Sequence, residues 1–88
     1  MAAVVVTVHE DSGGWLAVVT VHADTSTTHR VGVTHAEHAR FGDGDVTELV
    51  RRSFEFLLAR ESNRSILREF TLGDIERYFP EFGRHIRQ

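Results

Sequence analysis

Val46-Thr47-Glu48-Leu49-Val50-Arg51-Arg52-Ser53-Phe54-Glu55-Phe56-Leu57-Leu58 is the stretch of this 88-residue chain that decides its fold. Val46, Leu49, Val50, Ser53, Phe54, Leu57 and Leu58 fall on one stripe at helical spacing, which predicts a main helix from about residue 46 to about residue 60. Phe56 lies off that stripe and needs a second surface to bury it. The C-terminal segment supplies one. Residues 65–70 are expected to form one or two helical turns carrying Ile66, Leu67 and Phe70. Thr71-Leu72-Gly73-Asp74 then restarts a helix with a threonine cap and an early acid. Leu72, Ile75, Tyr78 and Phe79 are expected to be its buried side, and Pro80 ends it. Residues 83–88 are polar and expected to fray, so the domain is drawn as residues 1–82 with a short tail.

Upstream the period changes from helical to alternating. Val4, Val6 and Val8 share one face with Val5, Thr7 and His9 on the other, and Asp11-Ser12-Gly13-Gly14 is a hairpin turn. With Trp15 to Ala23 returning, Val8 faces Ala17, Val6 faces Val19 and Val4 faces Val21, so pattern and register agree. A second turn at Asp24-Thr25-Ser26-Thr27 leads into a third strand, in which pairing Val31 with Val21 and Val33 with Val19 keeps the valines on the same face. Thr34-His35-Ala36-Glu37 fits a capping box for a short helical turn that Gly42 stops. The predicted class is α+β: a three-stranded antiparallel meander, a short helical turn, one main helix and a C-terminal helical segment, packed on one sheet face.

Composition sets the function classes. At this length folding buries only about 60–65% of the surface the unfolded chain exposes, so there is room for one core and no large cleft. The chain is 41% apolar and 26% charged, as in an ordinary globular domain, with no apolar run near the length of a membrane span. Its opening Met1-Ala2-Ala3-Val4-Val5-Val6 lacks a basic flank and reads as strand, so a cytoplasmic location is expected. The absence of cysteine excludes disulfides, thiolate catalysis and cysteine zinc sites. Residues 1–45 carry six acids against two arginines, residues 46–88 seven against eight, and the net charge is −3. That balance disfavours a dedicated nucleic-acid binder.

Leu49, Phe54, Phe56-Leu57-Leu58, Glu61, Ser65-Ile66-Leu67-Arg68-Glu69-Phe70, Leu72, Ile75 and Arg77-Tyr78-Phe79-Pro80-Glu81-Phe82 together resemble the closing half of a family of short prokaryotic proteins. Ser26-Thr27-Thr28-His29-Arg30-Val31 echoes it more weakly. The resemblance covers roughly residues 45–82 and implies no activity. The order of sheet then helix is also similar to that of HicB-like antitoxins, the partners of the HicA toxin. Against that similarity, the sequence carries no signal for a fourth strand after the main helix and no DNA-binding tail.

Six histidines raise the question of a metal. His35 and His38 stand three apart on a helical turn, a spacing that lets two imidazoles face one ion, with Glu37 or Asp43 as a third ligand. No complete ligand set appears, so both are read as solvated and no metal or other cofactor is expected. His9 and His22 lie at opposite ends of the outer sheet face. His29 falls on the valine face and is read as a hydrogen-bonded structural histidine. None of the serines stands in a Gly-x-Ser-x-Gly elbow, and Gly42-Asp43-Gly44-Asp45 sets two acids where a phosphate site needs none. An enzyme is therefore not expected. Arg51, Arg52, Arg60, Arg64 and Arg68 are interleaved with acids, with Glu48 to Arg52 and Arg51 to Glu55 at ion-pair spacing, which reads as a solvated helix face.

What remains is the sheet face away from the helices. It presents Val5, Leu16, Val18, Thr20, His22 and Arg30, joined by Thr7 and Thr28, and is expected to be apolar in the middle and polar at the ends. The expectation is a small non-enzymatic protein-interaction module that dimerises through its sheet, by face packing or by pairing of an edge strand. A HicB-like antitoxin or nucleic-acid-linked regulator is the alternative.

Overall fold

The computed structural model describes residues 2–42 and 44–87. Three strands open the chain, β1 (Ala3–Asp11), β2 (Gly14–His22) and β3 (Ser26–Thr34), followed by helices α1 (His35–Phe41) and α2 (Val46–Leu58). A 3-10 turn (Asn63–Ser65) leads to a short strand β4 (Glu69–Thr71), and helices α3 (Leu72–Tyr78) and α4 (Phe82–Ile86) close the chain. The sheet order is β1-β2-β3-β4, antiparallel except for β4, which runs parallel to β3. The helices cover one face, so the α+β class holds.

The first hairpin has the expected register, with Val8 opposite Ala17, Val6 opposite Val19 and Val4 opposite Val21. Its turn is tighter than four residues, because Asp11 and Gly14 already pair. The Asp11 carboxylate accepts the Gly13 amide at 3.0 Å, and Gly14 adopts a φ of 148° where a Cβ would run into the Val33 carbonyl oxygen. Only glycine fits there.

The second hairpin departs from expectation by four residues. Val31 lies opposite Ala17, Val33 opposite Trp15 and His29 opposite Val19. An even shift leaves every side chain on its expected face, so alternation alone could not detect it. It does move Arg30 inward along the sheet, to a place beside Val18.

Three further corrections fall in the last third of the chain. After the 3-10 turn that ends at Ser65, residues 66–70 are not helical: the free edge of β3 offers their main-chain groups partners that one isolated helical turn does not. The Arg30 amide donates to the Arg68 carbonyl at 2.7 Å, and Phe70 joins Val31 on the inner face. A fourth strand after the main helix therefore exists. Tyr78 is 68% exposed and not buried, because at about 100° per residue it turns away from the side that Leu72 and Phe79 share. The tail is no frayed end either: Phe82 and Ile86, one turn apart on α4, are both buried, and the Ile86 carbonyl accepts from the Arg52 guanidinium at 2.7 Å.

The helix starts follow their sequence signals. Thr34 and Glu37 form the reciprocal capping box of α1, Asp45 accepts the Thr47 amide at 2.9 Å to cap α2, and Thr71 with Asp74 caps α3. α2 ends at Leu58, two residues earlier than its pattern implied, and packs over the inner face of β1. Phe54 sits between His29 and Phe70, with ring centroids at 5.3 and 5.9 Å. Phe56 finds its second surface on Phe79 and Phe82.

Candidate interaction surfaces

The outer sheet face is bare of helices, and all six residues expected at an interface lie on it. Their arrangement differs from a dry centre with a wet rim. Across the strands the rows read Val5-Thr20-Thr28, then Thr7-Val18-Arg30-Glu69, then His9-Leu16-Gly32-Thr71. Val5, Val18 and Leu16 therefore run diagonally, each beside a polar neighbour, and Arg30 stands in the middle of the face. Val5 is 51% exposed, while Leu16, Val18 and Thr20 are half-buried and His22 and Arg30 are exposed. His22 Nδ1 lies 3.0 Å from the Ser26 hydroxyl, and His9 sits at the other end of β1.

The two edges of the sheet differ. On the β3 side, β4 supplies a short ladder and side chains extend it. His29, 1% exposed, donates from Nδ1 to the Leu67 carbonyl at 2.8 Å. In that tautomer its Nε2 accepts the Thr27 hydroxyl at 2.8 Å, and the Thr27 oxygen accepts from the Asn63 amide at 2.9 Å. Asn63 also donates to the Thr25 carbonyl at 2.7 Å. Among the described residues no buried side-chain nitrogen or oxygen lacks a hydrogen-bond partner, as the low-dielectric interior demands. On the β1 side there is nothing comparable: among the described residues, no main-chain hydrogen bond leaves β1 except toward β2.

A second concave surface lies where the end of α2, the 65–67 segment and α3 meet, a cleft of about 290 Å³ with Leu57, Ile66 and Ile75 in its wall. Leu67, 50% exposed, and Tyr78 stand at its mouth. Glu61 and Asp74 are its charged lining residues, and Asp74 is already occupied by the Thr71 amide and the Arg77 guanidinium.

The histidine pair on α1 is not simply solvated. His35 and His38 both pack edge-on against the Trp15 indole with centroids at 4.9 Å, and His38 Nε2 donates to the Gly44 carbonyl at 2.6 Å. Glu37 is taken up by the capping box and by the Gly73 amide at 2.8 Å. Asp43 lies outside the described residues. Among the described residues, no group of three or more His, Asp or Glu side chains is gathered for a metal ion.

The arginines are largely turned to internal use. Arg51 pairs with Glu48 at 3.0 Å, in place of the expected Arg51 to Glu55 pairing, and Arg52 reaches Ile86 in place of Glu48. Arg60 lies over the Phe56 ring at 3.5 Å, donates to the Phe56 carbonyl and meets Glu81 at 3.5 Å. No helix among the described residues is long and apolar enough to cross a membrane. No protein-family model matches the chain, and neither a curated protein nor a solved structure matches it.

Proposed function

We propose that this chain is a small non-enzymatic protein-interaction module of the cytoplasm that works as a homodimer formed through its sheet. One observation supports the reading above others: among the described residues the sheet is unfinished on its β1 side, with one face uncovered and a nine-residue edge unpaired. A domain of this size gains most from burying a second surface. Sedimentation over a wide concentration range tests it. The expected result is a mass twice that of the chain; a single monomeric species at the highest concentration overturns the reading.

A second reading, an antitoxin-like partner of a HicA-type toxin, draws on β4, which supplies a strand after the main helix. It requires a stable complex with such a toxin. Co-expression with a HicA-type toxin that leaves the toxin free in solution excludes it.

A further inference from the structure

The inner row of valines shows where the sheet stops short. Val4, Val6 and Val8 remain half-buried although the residues opposite them, Val21, Val19 and Ala17, are fully buried. Their strand has a neighbour on one side only. Natural edges are usually guarded by a proline, a lysine, a bulge or a very short strand. Residues 3–9 of β1 have none of these: the register runs unbroken from Ala3↔His22 to Asp11↔Gly14, the sequence AVVVTVHED contains neither residue, and its acids, with Glu10 the one charge on the inner row, are confined to one end.

We infer that β1 pairs antiparallel with β1 of a second copy, joining two four-stranded sheets into one of eight strands. The inference rests on the homodimer proposed above and names its seam. With the two-fold axis at Val6, Val4 lies opposite Val8 of the second copy and Val6 opposite its own counterpart, so the inner row is valine from residue 4 to residue 8. On the outer face Val5 lies beside Thr7. Glu10 then opposes Ala2, and no acid meets an acid. Moving the axis to Thr7 sets Glu10 against Val4 inside the valine row, so charge favours the first of these two registers.

The alternative seam, packing of the two outer faces, is disfavoured by Arg30. Its place between Val18 and Glu69 obliges a face-packed dimer to remove a guanidinium and the carboxylate beside it from water near the centre of the contact. Edge pairing buries no charge, satisfies the outward main-chain groups of β1 and covers the valines.

Hydrogen exchange and sedimentation decide the matter on the intact chain. In dilute protein only the amides of β1 that point toward β2 are protected. In the dimer the alternate set within residues 4–8 slows as well, by more than about tenfold. Val6→Lys, which places a charge on the inward row of an edge strand, gives a monomer that retains exchange protection in β2 and β3, while Val18→Glu remains dimeric. A monomeric parent overturns this inference together with the homodimer itself. A dimeric parent whose outward β1 amides still exchange freely, or a Val18→Glu variant that is monomeric, overturns the β1 seam and leaves the homodimer standing. If Val6→Lys fails to fold, the exchange pattern of the parent still decides between the two seams.

Discussion

The two edges of the sheet solve the same problem by different means. β3 is closed by an irregular segment: three residues of β4 pair with it, and His29, Thr27 and Asn63 hold the chain before β4 with side-chain hydrogen bonds. β1 is three times longer than β4 and is closed by nothing within the described residues. An edge closed by buried polar groups is specific and costly to disturb, since each partner lost leaves another unsatisfied. An edge left open to water is cheap to disturb and available to a partner. Disturbing each side separately measures that contrast.

The largest effect is expected at Phe54, which wedges between His29 and Phe70 on the closed side. Phe54→Ala should cost about 3–5 kcal/mol, enough to unfold most of so small a domain. A melting temperature within a few degrees of the parent breaks the claim that the closed edge is core. Asn63→Ala leaves the Thr25 carbonyl without its donor and should cost about 1–3 kcal/mol in chemical denaturation. Its exchange signature is sharper: protection should fall first in β4 and in the amide of Arg30.

Val6 and Val19 form one cross-strand pair with unequal burial, which makes them a direct comparison. Val19→Ala should cost about 2 kcal/mol and Val6→Ala roughly half of that in dilute protein. Equal losses at high concentration, with the difference restored on dilution, would show that a second copy covers Val6. Smallest of all, His35→Ala with His38→Ala removes two edge contacts to Trp15 and an exposed hydrogen bond to the Gly44 carbonyl and should cost less than about 1 kcal/mol, with a red shift in tryptophan fluorescence and no change in metal content. A shift in bound zinc would move these residues from packing to ligation.

The sequence made the first hairpin legible because its two glycines and its valine alternation specify one register together. It made α2 legible because seven residues keep one stripe. The second register was not legible, since a four-residue slip preserves the alternation by which a strand is read. Phe82 and Ile86 did carry a signal, their one-turn spacing, but five residues between Pro80 and the end of the chain form a helix only when Phe41, Phe56 and Arg52 receive them. His29 was placed on the correct face from its parity. Its partner carbonyl at Leu67, 38 residues away, belongs to no local pattern.

What the sequence determined by itself is therefore local: which residues alternate, which follow a helical stripe, where the caps fall, and that no cysteine chemistry is possible. These depend on neighbours within about one turn or one pleat, so they can be read along the chain. The tertiary structure decided the parallel strand β4, the burial of the C-terminal helix, the exposure of Tyr78 and the place of Arg30 at the middle of the outer face. Each of those is settled by competition among distant segments for the same unpaired edge or uncovered apolar surface, and a sequence shows the competitors without showing which of them wins.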